Sequence, residues 1–224
     1  MPSEKIVELR ASSALTAITT EYGTSYEDLR KAGVATATTS NKLTDSAGAF
    51  TTAGANGLIA VGDILKNTTD GTYALITAID SATALSISAD IMADEEEYEI
   101  YTNHGYKFQK SYSELVAILD VTAAATDAAD TMDAYLDTSF DGGITWVNIG
   151  HFTQIAGNGG AKRFIMSFRA APIAAANSVD ATANQAASAA LQIGFGDRVR
   201  YRATTANSST VNNSCTFSLK IHAK

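Results

Sequence analysis

The chain reads as an all-β protein, an antiparallel β-sandwich with a small β-barrel inserted toward its N-terminal end, and three observations predict this. Apolar and polar residues alternate with a period of two along at least six segments, as one-sided strands require. Two of those segments are joined by the octapeptide Ser139-Phe140-Asp141-Gly142-Gly143-Ile144-Thr145-Trp146, whose residues spell a tight turn. The composition is rich in Thr, Ser, Asn and Gly and holds only two prolines, Pro2 and Pro172, which suits short strands and small-residue loops.

Taken in order, residues 5–19 predict a first strand or strand pair with Ile6, Leu9, Leu15 and Ile18 as apolar contacts. A polar stretch follows over residues 20–40. Within it, Ser25 as N-cap, Asp28 at the third helical position and Gly33 as a stop predict one or two helical turns. Residues 41–103 read as a separate unit, with short strands over 58–67, 72–80, 84–88 and 97–101 punctuated by Thr69-Asp70-Gly71 and Asp80-Ser81. Turns at such close spacing predict a small barrel or curled sheet. With Val61-Gly62-Asp63 opening a strand, the unit resembles the SH3-like barrels. It could bind a peptide or a neighbouring subunit, or it could be an inserted stabilising module.

From Tyr106 the two-residue period resumes. Leu115, Ala117, Leu119 and Val121 share one strand face; Phe164, Met166 and Phe168 share a second; Val199, Tyr201 and Ala203 a third; Phe217, Leu219 and Ile221 the last. Together with the hairpin these strands suffice for two packed sheets, a jelly-roll-like sandwich formed by residues 1–40 and 104–224 and interrupted by the insert at 41–103.

In the hairpin, Met132, Ala134 and Leu136 alternate with Asp133, Tyr135 and Asp137 before the turn, and Val147 and Ile149 alternate with Asn148 and Gly150 after it. Asp141 can accept backbone N–H groups, Gly142 and Gly143 permit positive φ, and Trp146 can fold its ring back over the bend. The pattern S-x-D-x-G-x-T-W resembles the Asp-box of sialidases and related propellers, where the box marks a turn away from the active site. Here it occurs once, without the repeat of roughly 40–50 residues that propeller blades need, so its reading is a structural turn.

Composition excludes several classes. The chain has 224 residues, 46% hydrophobic and 18% charged, with a formal net charge of −8, which disfavours non-specific binding to nucleic acid or anionic lipid. Cys215 is the single cysteine, so no disulfide framework exists, and its alternation with Phe217 and Leu219 predicts burial. No apolar run approaches the roughly 20 residues of a membrane span. The opening MPSEKIVELR lacks the apolar core of a secretory signal.

No catalytic set assembles. His104, His151 and His222 are scattered without metal-ligand spacing, no G-x-S-x-G elbow occurs, and the lone cysteine lacks a nucleophile's context. The segment Gly157-Asn158-Gly159-Gly160 lacks the Lys-Ser/Thr of a phosphate loop and reads as a turn. Asp94-Glu95-Glu96-Glu97 with Glu99 is the densest acidic run, but without a calcium-loop pattern it reads as a solvated face. No enzyme activity, metal or cofactor is expected.

Two features point instead to protein contacts. Arg198, Arg200 and Arg202 alternate with Val199 and Tyr201 and so share one sheet face, with Arg163 and Arg169 flanking an earlier strand. In an acidic chain such a stripe fits a neighbour's carboxylates, or it pairs within its own sheet to Asp133, Tyr135 or Asp137. The alanine-rich tract over residues 170–192, which includes Ala174, Asn184 and Leu191, is long for a loop inside a compact domain. Residues 180–191 could form a short helix, and the small side chains fit either close approach by another subunit or surface disorder.

The run LVAILDVTAA from Leu115, the Ser139–Trp146 hairpin, HFTQ from His151, GDRVRYR from Gly196 and CTFSLK from Cys215 resemble the β-sandwich structural proteins of tailed bacteriophages. The segments from Val61 and Ser88 are similar to small β modules of such virions. The resemblance implies a virion structural component assembled in the host cytoplasm, foremost a capsid decoration (cement) protein, with a neck or tail component as the alternative. The expected partners are the major capsid protein or neck and tail proteins, together with further copies of the chain in a homo-oligomer. A carbohydrate- or receptor-binding virion module is the reading from a different class, suggested by Trp146 and the nine tyrosines.

Overall fold

The computed structural model describes residues 4–15, 20–23, 29–54, 56–103, 105–108, 111–170, 184–191, 194–206 and 214–224. Among them every regular element is a β-strand. The chain divides into two compact units, Met1–Ile18 with His104–Lys224 and, between them in sequence, Thr19–Asn103.

The first unit begins with β1 (Lys5–Leu15). Thr19–Asn103 then contributes β2 (Thr20–Tyr22), β3 (Leu29–Val34), β4 (Lys42–Thr44), β5 (Ile64–Asn67), β6 (Thr72–Ile79), β7 (Ala84–Ile87) and β8 (Glu97–Tyr101). The first unit resumes with β9 (Tyr106–Lys107), β10 (Glu114–Ala123), β11 (Thr131–Ser139), β12 (Val147–His151), β13 (Ile155–Ala156), β14 (Lys162–Arg169), β15 (Ala189–Ala190), β16 (Arg198–Ala206) and β17 (Cys215–Ala223).

The first unit is an antiparallel β-sandwich. One sheet runs β1-β17-β10-β14; the other runs β15-β12-β11-β16, with β13 beside β11 and β9 beside β16. The strand faces expected from the two-residue period are the inner faces: Leu115, Ala117, Leu119, Val121, Phe217, Leu219 and Ile221 meet Met132, Ala134, Leu136, Ile149, Val199, Tyr201 and Ala203 in one core. Each such large side chain, fully buried, stabilises by about 1.5–3 kcal/mol. Cys215 lies in this core at 1% exposure, and burial, partly offset by the charge of Arg10, pushes its thiol up to about 11, so it packs as an inert small hydrophobe.

Thr19–Asn103 has its own core of Leu43, Phe50, Leu65, Ile76, Leu85, Tyr98 and Ile100. Its sheet order is β3-β8-β5-β6-β7-β4, and just beyond β3 a bridge between Ala37 and Thr44 joins the chain to β4, so the sheet curls toward closure. Buried beside this core, the Tyr98 hydroxyl donates to the Asp45 carboxylate at 2.7 Å. A Cβ at Gly33 would sit 2.6 Å from that hydroxyl, which is why glycine occupies this strand position.

Four expectations are corrected. The inserted unit starts at Thr19, not at residue 41, because β3 pairs with β8 (Ala32 with Glu99, Val34 with Glu97) and so belongs to it. The helix expected from Ser25 to Gly33 is strand from Leu29 onward, its earlier residues lying outside those described; cross-strand pairing outweighs a weak capping signal. The strand expected over residues 58–67 begins only at Ile64, since Asp63 accepts the Ala60 N–H at 2.8 Å and holds the preceding residues in a turn. The helix expected over 180–191 is absent from its described part, where a turn leads into β15, paired to β12 through Ala190 and Gly150. Ala174 lies outside the described residues.

Candidate functional site

A polar cluster occupies the outer face of β11, β12 and β16, and a bulge in β12 shapes it. In β12, Leu136 pairs with Gly150 whereas Asp137 pairs with Asn148, leaving Ile149 as an extra residue. Ile149 is fully buried, and a Cβ on Gly150 would lie 2.5 Å from Met166 Sδ, so both of these positions face the core. Asn148 and His151, three residues apart and destined for opposite faces in a regular strand, therefore both turn outward. The simple alternation expected after the hairpin is broken here.

Asp137, 2% exposed, is the centre of this face. Arg202 donates to it through Nε (2.7 Å) and Nη2 (3.2 Å), Arg200 through Nε (3.1 Å), and Asn148 through Nδ2 (2.9 Å). Burial alone would raise this carboxyl, but the hydrogen bond and charge of Arg202, the charge of Arg200 and the Asn148 amide outweigh it and hold the group below the ordinary carboxylate range.

Aromatic rings extend the network on both sides. The Arg200 guanidinium lies 4.4 Å from the Trp146 ring centroid, and that of Arg202 lies 4.5 Å from the Tyr135 ring. Tyr135 stacks on His151 with centroids 4.2 Å apart. The Nδ1 of His151 faces the Gln185 carbonyl (2.9 Å), which can only accept, so Nδ1 carries a proton; Nε2 faces Asp133 Oδ1 at 2.8 Å. Gln154 donates to the other Asp133 oxygen at 2.9 Å. Burial and the Asp133 carboxylate push the Tyr135 hydroxyl upward.

The described part of the alanine-rich tract, residues 184–191, is fastened to this face. Arg202 Nη2 donates to Asn184 Oδ1 at 2.7 Å, the Gln185 N–H to Asn148 Oδ1 at 2.8 Å, and the Leu191 N–H to the Ile149 carbonyl at 2.7 Å. Of the two pairings open to the arginine stripe, the structure realises the one within the sheet for Arg200 and Arg202. Arg198 is half-buried at the hairpin end, paired across the strands with Ser139. Sequence reasoning named Asp137 as a partner but missed Asn148 and His151; Gly150 between strand residues was the available signal for the bulge.

The hairpin turn behaves as its residues predict. Asp141 accepts from the Thr145 hydroxyl (2.6 Å), the Thr145 N–H (2.8 Å), the Ser139 hydroxyl (2.8 Å) and the Ile144 N–H (3.1 Å), and these bonds, led by those of Thr145, lower its carboxyl to about 2. Gly142 and Gly143 have φ of 78° and 96°. Trp146 is half-buried rather than folded into the core: it rests under Arg200 and close to Gly105, where a Cβ would come within 2.5 Å of the ring. The locked turn leaves Phe140 56% and Ile144 82% exposed.

The remaining candidates are dispersed. His222 lies 3.9 Å from Glu4, and His104 is outside the described residues. Glu96 accepts from Asn67 Nδ2 at 2.9 Å and so braces a turn of the inserted unit. Among the described residues no group of three His, Cys, Asp or Glu is placed to hold a metal ion. Set against known proteins, the chain matches no family model, and neither a curated protein nor a solved structure matches it significantly.

Proposed function

We propose that the protein is a structural component of a tailed-bacteriophage virion, and more narrowly a capsid decoration protein that strengthens the shell through protein contacts and performs no catalysis. The observation that carries this reading is the pairing of a rigid turn with exposed apolar side chains. Asp141 consumes its hydrogen-bonding capacity within the turn, so Phe140 and Ile144 are presented in a fixed arrangement and lose little conformational entropy on docking. Exposed apolar side chains on a turn fixed in this way suit a contact surface.

The ladder from Trp146 to Asp133 supports the same reading. Its charged groups neutralise one another, which gives a static wall and leaves Trp146 covered by a guanidinium, unlike the bare ring of a sugar platform. The assignment to a tailed-phage virion, and within it to the capsid, rests on the resemblance of the sandwich segments to such structural proteins. On a symmetric lattice, modest contacts repeated over many copies become collectively strong.

The test is co-sedimentation of the protein with undecorated shells and, separately, with tails. Wild-type protein is expected in the shell pellet, and the double variant Phe140→Ser/Ile144→Ser is expected to stay in the supernatant with an unchanged melting temperature. Pelleting only with tails would move the function to the neck or tail alternative. Retention of neither would refute the structural reading.

A further inference from the structure

We propose that a cavity in the sandwich unit, bordered by Phe108, Tyr112, Phe195 and Asp197, binds an organic cation, an alkylammonium or guanidinium group. The cavity has a volume of about 460 Å³, within the usual range for small-ligand sites. Phe108 is its centre: the Tyr112 ring stands 5.5 Å away at 67° and the Phe195 ring 6.3 Å away at 59°. The Tyr112 contact is edge-to-face and the Phe195 contact tilted, so the three rings form one aromatic cluster bordering the cavity. A ring face that borders the cavity offers a cation the negative side of its quadrupole.

Asp197 supplies the full charge. The Phe108 N–H donates to the Asp197 carbonyl at 2.9 Å, which fixes this residue beside the aromatic wall. Its side chain is exposed, and its carboxylate has no hydrogen-bond or ion-pair partner among the described residues. This is the reverse of Asp137 and Asp141, whose oxygens are fully engaged. A carboxylate next to three aromatic rings attracts a weakly hydrated cation twice, through its charge and through the ring faces.

The chain already illustrates the chemistry at the edge of this cluster. Tyr106, whose ring meets that of Phe108 at 5.5 Å, carries the Lys5 ammonium 5.3 Å from its centroid. Lys5 and Tyr106 lie outside the cavity lining. A sugar fits the lining less well. Its several hydroxyls need a set of matched donors and acceptors, and beyond Asp197 the lining side chains offer only the Ser111 and Tyr112 hydroxyls.

The cation could arrive as a free quaternary amine or as a Lys or Arg side chain of a neighbouring polypeptide. Calorimetric titration of the full chain with choline, with its neutral isostere 3,3-dimethylbutan-1-ol, with N-acetyl-Gly-Arg-Gly-amide and N-acetyl-Gly-Lys-Gly-amide, and with methyl glucoside separates these cases. At least one cation is expected to saturate the protein, and if it is choline, to bind about tenfold or more tighter than the isostere. The Asp197→Asn variant, altered at an exposed side chain, should weaken that binding by about tenfold with an unchanged thermal transition, and Phe195→Leu should weaken it as well. Tighter binding of choline than of the peptides identifies a free amine, and the converse identifies a side chain. Equal binding of choline and its isostere, unaltered binding by Asp197→Asn, preference for methyl glucoside, or no saturable binding of any cation would each overturn the proposal.

Discussion

The Arg200 guanidinium lies over the Trp146 indole, 4.4 Å from its centroid, while its Nε donates to the buried Asp137 carboxylate at 3.1 Å. One side chain thus ties the hairpin after the turn to the strand before it. The contact explains how a tryptophan that is only half-buried can still organise the hairpin.

Replacing Trp146 with Ala removes a partly buried ring and its cation contact, and is expected to destabilise the fold by about 2 kcal/mol. Urea denaturation measures this. A change within error of zero would mean that the ring is not part of the fold's support.

Asp137→Asn removes the charge that neutralises two arginines and is expected to cost about 3–5 kcal/mol, as for a broken buried pair. Denaturant midpoints should place it well below Asp120→Asn, whose carboxylate pairs with an Arg163 side chain that is 66% exposed. Equal effects of the two changes would contradict the central role of Asp137.

Acid should act through the turn carboxylate of Asp141. Asp141 has a folded value of about 2 against roughly 3.9 in an unfolded chain. A depressed folded value stabilises above the unfolded value, and that contribution is lost as pH falls from about 4 through about 2. Carboxyl titration by NMR should give a midpoint near 2 for Asp141. Asp141→Asn should lose stability less steeply than wild type over that window; a midpoint near 4 would contradict the turn geometry.

Thr19–Asn103 has a separate core, so replacing it with a short Gly/Ser linker should leave a folded sandwich. A dispersed amide spectrum and a cooperative melt are the expected results. An unfolded product would show that the two units depend on each other.

Much of the sandwich was legible because a strand's side chains alternate whatever it pairs with. The face Leu115, Ala117, Leu119, Val121 and the face Phe217, Leu219, Ile221 could be read from spacing alone, and the Asp141 turn from its own residues. Features that depend on pairing were hidden. The run from Leu29 to Val34 has no apolar alternation, and what makes it a strand is β8 beside it. The bulge at Ile149 reverses the outward face of β12, so His151 gave no sign in sequence of standing against Tyr135. The arginine stripe was visible, yet which carboxylate it meets depends on the register that sets Asp137 opposite Arg200.

The most direct measurement of the decoration proposal is imaging of purified virions with and without the gene for this chain. The account predicts density of the size of this protein at regular positions on the outer shell, lost on deletion, together with shells that rupture at lower temperature. Density confined to the tail, or particles unchanged by the deletion in both structure and heat resistance, would contradict it.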